Sequence, residues 1–135
     1  MILSTIKTFE ELIIWQEARK FTHDLYKLTE KYPQQELYSL TSQIRRAGVS
    51  VMSNIAEGFD RRTTKEFISF LIISRASVSE IQNDLYISLD LNYINKEEFQ
   101  TNYNYAQKIA KLINGLISYL KSQSQNYTKA TKINE

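Results

Sequence analysis

Apolar residues recur at three- and four-residue intervals over four stretches of the chain, and each stretch opens with a helix-start signal or follows a stop. Thr8-x-x-Glu11 has the form of a capping box and precedes Ile14, Ala18, Phe21, Leu25, Leu28 and Tyr32, which predicts a helix over about 9–31. Pro33 ends it, because the residue before a proline avoids the helical region. Leu37, Leu40, Ile44, Ala47, Val51 and Ile55 predict a second helix over about 36–58, with Gly58 placed to terminate it. Thr63-x-x-Glu66 opens a third, over about 64–92, with Phe67, Phe70, Leu71, Ser74, Val78, Ile81, Leu85 and Leu89 on one stripe. Asn95-x-x-Glu98 opens a fourth, over about 96–121, carrying Phe99, Tyr103, Ala106, Ile109, Ile113, Ile117 and Leu120. Gly115 lies inside that helix at a cost of about 1 kcal/mol relative to alanine. From Ser122 the sequence is polar and aperiodic and reads as a flexible tail over 122–135. The expected fold is all-α: one domain, 1–121, folded as an antiparallel up-down four-helix bundle.

The second helix is unusual in how little of it is left for water. With ~100° per residue, Thr41, Arg45, Val49, Met52 and Ala56 form a flank distinct from the main stripe. A narrow seam of Arg46, Ser50, Ser53 and Glu57 remains, with Gln43 and Asn54 at its edge. On the third helix Ile68, Ile72 and Tyr86 also lie off the core stripe. A wide core face in a small bundle is one explanation. The other is an oligomer sharing the second and third helices, favoured because monomers rarely expose large apolar patches. The expected subunit interface is Val49, Met52, Ala56, Ile68, Ile72 and Arg75. Ser74, Ala76, Ser77 and Ser79 crowd the third helix with small side chains that permit close approach, Ser74 most clearly because it falls on the core stripe.

Composition narrows the class. Hydrophobic residues make up 42% and charged residues 24%, while three Gly and one Pro provide few turns, which favours long helices. Without Cys there is no disulfide framework and no thiolate metal site, as expected of a reducing cytoplasm. No apolar run approaches the ~20 residues of a membrane span, and the N-terminus lacks a signal-peptide pattern. The net charge of +2 is unevenly placed: residues 1–39 carry net −1, residues 40–75 net +3, and residues 76–135 net 0.

The positive middle suggests a basic surface of Arg45, Arg46, Arg61, Arg62 and Lys65, suited to phosphate contacts. The competing reading is salt bridging, within or between subunits, to carboxylates such as Glu57 and Asp60. Nine tyrosines could stack on unpaired bases, though most are placed as well for packing. Catalytic signatures are weak. His23 is the lone histidine and lies off the core stripe, no metal-ligand spacing or Gly-rich phosphate loop occurs, and no serine is marked as activated. Asn54 and Glu57 could form a polar site but read better as structural, Asn54 meeting backbone and Glu57 an arginine. The expectation is no enzyme, no metal, no cofactor and no small-molecule substrate.

Three motifs then carry a resemblance: FEELIIWQEA (Phe9–Ala18), LTSQIRRAGVSVMSNIAEGFDRR (Leu40–Arg62) and KEFISFLIISRASVSE (Lys65–Glu80). Over about residues 8–120 the chain resembles the bacterial four-helix-bundle proteins encoded in intervening sequences of 23S ribosomal RNA genes. That family is similar to the accessory protein of diversity-generating retroelements. The resemblance implies a homopentameric ring of antiparallel bundles, a non-enzymatic role, and RNA or a nucleic-acid enzyme as partner. Gln43, Arg45, Arg46, Asn54, Glu57, Gly58 and Arg62 match the family's recognisable polar positions. Met52 stands where the family often has proline, implying a straighter second helix, and Ser74-Arg75-Ala76-Ser77 stands where it commonly reads A-R-G-S.

Overall fold

A computed structural model describes the backbone of residues 3–134, and side chains only within 3–124. Four helices account for most of it, α1 (Ile13–Thr29), α2 (Leu40–Phe59), α3 (Thr64–Asp90) and α4 (Lys96–Asn134), with no strand among the described residues. Short 3-10 turns precede α1 at Phe9–Glu11 and α2 at Gln34–Glu36.

The helix ends test the capping patterns one by one. Asn95 and Glu98 form the full reciprocal box: the Glu98 N–H donates to Asn95 Oδ1 at 2.8 Å, and the Asn95 N–H donates to Glu98 Oε1 at 2.9 Å. Thr63 forms half of one, accepting the Glu66 N–H at 3.1 Å. The box expected at Thr8 does not form. The Lys7 N–H takes the Glu11 carboxylate instead, at 2.8 Å, and α1 begins at Ile13 rather than near Phe9. The cause is Leu12, which the periodicity omits: it is 1% exposed, and its extended backbone (φ −72°, ψ 125°) drives the side chain into the core and interrupts the helix. α3 stops at Asp90, two residues early, where Asn92 turns the chain at φ 61°, a left-handed conformation asparagine tolerates. At the other end of α4, the segment expected to be a tail from Ser122 continues the helical backbone to Asn134.

Gly58 corrects a second expectation. It does not terminate α2, which runs through Phe59 and closes on Asp60 in helical conformation. A Cβ at residue 58 would lie 2.7 Å from Phe70 Cβ and 2.9 Å from Phe67 Cδ1. Glycine is required there because α2 and α3 come so close.

Each helix packs on its neighbours in sequence, and α4 also packs on α1. Residue numbers rise along one helix as they fall along its partner. Thr22 and Arg45 link α1 to α2 through Gly48 O (3.0 Å) and Thr29 Oγ1 (2.8 Å). Ser74 donates to Val51 O at 2.8 Å and Ser77 meets Ser50 at 2.8 Å between α2 and α3. Gln82 reaches Gln107 at 3.1 Å between α3 and α4. Lys31 pairs with Glu98, and Tyr105 donates to Glu17 at 2.6 Å, between α1 and α4. The interior is aliphatic, with Leu25, Ile44, Ile55, Leu71, Val78, Ile81, Leu85, Ile109 and Ile113 fully buried. The predicted stripes supply nearly all of it.

Candidate nucleic-acid and subunit interface

The five basic residues expected to make one surface separate in the fold. Arg45 turns toward α1: its Nε donates to Thr29 Oγ1 at 2.8 Å, its Nη2 to Tyr26 O at 3.3 Å, and its guanidinium lies 4.8 Å from the Tyr26 ring centroid. Arg46, next in sequence, is rotated by ~100° and stands exposed. Arg61 lies over the Phe70 ring at 4.7 Å, while Arg62 and Lys65 are exposed beside it at the α2–α3 turn. Fifteen residues of helix, about 22 Å, separate Arg46 from Arg61, so these are two sites and not one.

Glu57 and Asp60 are exposed, and among the described residues neither pairs with an arginine. The intrachain partner expected for Glu57 is therefore absent. Asn54 meets backbone as expected, its Nδ2 donating to Ser50 O at 2.8 Å and to Ser50 Oγ at 3.1 Å. It belongs to the hydroxyl seam between α2 and α3. Gln43 is exposed, and the four residues Gln43, Asn54, Glu57 and Gly58 do not converge on a common site.

The six expected interface residues also divide. Val49, Met52 and Ala56 lie on the side of α2 toward α1, where Arg45 also points. Ile68 and Arg75 lie on the side of α3 toward α4, close to the angles of Gln82 and Tyr86, which touch α4, while Ile72 lies farther round on the outer face of α3. Met52 and Ile68 pack partly against the core, whereas Val49 is 43% and Ile72 53% exposed. Apolar residues absent from the expectation are as open: Ile73, Ile87 and Leu91 stand on the outer face of α3. Of the small residues on α3, Ser74 and Ser77 are buried against α2, while Ala76 and Ser79 face outward.

The burial of an acid on α3 is absent from the predicted stripes. Asp84, 2% exposed, accepts from Asn83 Nδ2 at 3.3 Å through Oδ1, while its Oδ2 has no hydrogen-bond partner. Burial pushes its carboxyl above the ordinary carboxylate value, the Asn83 amide opposing. The Tyr32 hydroxyl is likewise buried, and burial raises its pKa, the neighbouring Ser88 hydroxyl opposing. Ser74, Ser77, Ile81, Asp84 and Ser88 recur at three- and four-residue spacing on the buried side of α3, the one signal that could have marked Asp84 as interior.

The opposite seam is charged. The Tyr105 hydroxyl, chiefly, and Lys108 at 3.6 Å hold the Glu17 carboxyl below its ordinary value, and burial raises the Tyr105 hydroxyl. The Lys31 ammonium does the same for Glu98. His23 lines an open groove of about 610 Å³ there with Gln16, Arg19, Lys20, Asp24 and Tyr105. No group of three or more His, Asp or Glu side chains is placed to hold a metal among the described residues. No helix among them is long and apolar enough to cross a membrane.

This helical frame has a solved counterpart. A crystal structure of a protein of unknown function from the S23 ribosomal protein family of Bacteroides thetaiotaomicron superposes with a TM-score of 0.70, at 24% identity, covering 78% of this chain and 98% of that one. At that identity the likeness speaks for the fold. No curated protein matches the chain. The family model described as 23S rRNA-intervening sequence protein matches residues 10–115, and the chain belongs to that family.

Proposed function

We propose that the protein is a non-enzymatic scaffold: an antiparallel up-down four-helix bundle that self-associates, as a pentamer by the resemblance, and binds RNA in the cytoplasm. The antiparallel reading is supported by the opposed numbering of every contacting helix pair. Self-association rests on one observation. The outer face of α3 leaves Ile72, Ile73, Ile87 and Leu91 between 41% and 53% exposed, an apolar face that water alone covers poorly. Sedimentation velocity at micromolar concentration tests it. The native chain is expected to sediment as an oligomer and Ile73→Glu/Ile87→Glu as a monomer, and a monomeric native chain sinks the reading.

RNA is supported by Arg46, Arg62 and Lys65, which have no carboxylate partner among the described residues and are free for phosphate. Binding of a structured RNA at ~0.1 M salt should weaken in Arg61→Ala/Arg62→Ala. A nucleic-acid enzyme is the second partner that the relationship to the retroelement accessory protein suggests. A protein-binding adaptor is the alternative, favoured by the exposure of both signs on one helix end: Glu57 and Asp60 are as unpaired as Arg62, so neighbouring copies could cross-pair them. A salt-sensitive oligomer that ignores RNA would select the adaptor.

A further inference from the structure

We propose that the groove between α3 and α4 is a track for single-stranded nucleic acid, with cations along one half of its length and an aromatic platform at its other end. The inference rests on the reading that the protein binds RNA, and it adds a second contact surface that meets the α2–α3 turn at Lys65.

The register of the groove is fixed at three levels. Gln82 meets Gln107, Tyr86 meets Tyr103 at 5.7 Å between ring centroids, and Lys65, Ile68 and Ser69 share an open cleft with Lys121 and Ser124. Gln82 and Tyr86 define the side of α3 that faces α4. Arg75 lies within about 20° of both on the helical wheel. On α4, Lys121 falls at the same angle as Tyr103. Three cations, Lys65, Lys121 and Arg75, therefore follow one another along the groove. They lead to the Gln82–Gln107 amides and then to Tyr86, about 30 Å from Lys65.

The charge in this groove is uncompensated. All three cations are exposed, and none forms an ion pair among the described residues. The acids of α3 lie elsewhere: Glu66 and Glu80 on the other flank, Asp84 buried, and Asp90 past Tyr86. On α4, Glu98 is engaged by Lys31, in the turn that follows α1. Tyr86 is half-exposed, and its ring is fixed against Phe99 at 4.8 Å, leaving a rigid aromatic surface for a base. A row of cations would attract any polyanion. The amides and the fixed tyrosine ring favour one whose bases are unpaired and free to stack.

Fluorescence anisotropy with a labelled oligouridylate, titrated into the full chain across a salt series, tests the assignment. Arg75→Gln/Lys121→Gln should weaken binding about tenfold or more and lower the salt slope by about 1.4, two phosphate contacts' worth. Tyr86→Leu should weaken binding about fivefold or more with the slope unchanged, and leave heparin binding as it was. Arg75 and Lys121 are exposed, so thermal unfolding of their double variant should match the native chain, and Tyr86→Leu is compared at a temperature where its helical circular dichroism equals the native signal. If the groove variants bind as the native chain does while Arg61→Gln/Arg62→Gln does not, the groove is wrong and the RNA reading stands. If the native chain binds no nucleic acid, both fall. Equal affinity for duplex, with Tyr86→Leu silent, overturns the single-strand assignment.

Discussion

The α2–α3 and α1–α4 seams lie across the bundle from each other and are built on opposite principles. Between α2 and α3 the side chains are small: Gly58 against Phe67 and Phe70, Ser74 on the Val51 carbonyl, Ser77 on Ser50. Hydroxyls hydrogen-bonded at 2.8 Å inside the seam cost little to bury and let the backbones approach. Between α1 and α4 the polar contacts are long and charged, Lys31 with Glu98 and Glu17 with Tyr105 and Lys108. The first seam is limited by volume and the second by electrostatics. The first should therefore fail on a methyl group, and the second only on loss of charge.

Gly58→Ala is expected to have the largest effect, because the new Cβ meets backbone-anchored atoms that cannot swing away. A loss of about 1–3 kcal/mol in urea unfolding is expected, and an unchanged midpoint would show that the seam yields. Asp84→Asn acts on the same seam through pH. Burial raises the Asp84 pKa in the fold above the ordinary 3.8, so the stability of the protonated form is fully present below that value and is lost as pH rises through the folded pKa. Unfolding curves of native and variant should coincide near the acid limit and separate toward neutrality, the variant being the more stable. Glu17→Gln probes the charged seam, where the sign reverses. Glu17 and Glu98 have pKa values lowered from 4.5, so their contribution is present above that value and lost as pH falls through the folded pKa. A loss of about 1 kcal/mol at neutral pH, vanishing in acid, is expected. Gly115→Ala, far from either seam, meets nothing within 4 Å and should stabilise by about 0.5–1 kcal/mol in thermal melts. Destabilisation there would mean that the surface is covered in solution.

The helical stripes were legible because burial at Ile44, Val51, Leu71 or Ile109 follows directly from a 3.6-residue repeat. Termini were less so. The same box pattern forms at Asn95 and fails at Thr8, since the pull of Leu12 into the core outweighs one capping hydrogen bond. The basic surface misled because adjacency in sequence is not adjacency on a helix: Arg45 and Arg46 point to different sides, and Arg45 is used up on Tyr26 and Thr29. Arg75, expected at a subunit interface, lines the groove with Lys121, a residue of a helix more than thirty residues on that sequence adjacency does not reveal. Asp84 is absent from the predicted stripe, although its spacing from Ser77, Ile81 and Ser88 is that of a core position.

The hydrogen bond from Tyr105 to Glu17 joins residues 88 apart, whereas Ser50 and Ser77 are 27 apart. Hairpins α1–α2, α2–α3 and α3–α4 can each form from neighbouring chain, but the contact of α1 with α4 closes the longest loop and pays the largest closure entropy. Assembly thus has a natural order, with the first and last helices meeting at the end. The same seam is where the native protein should breathe first, and amides of α1 should exchange with solvent ahead of those in α2 and α3.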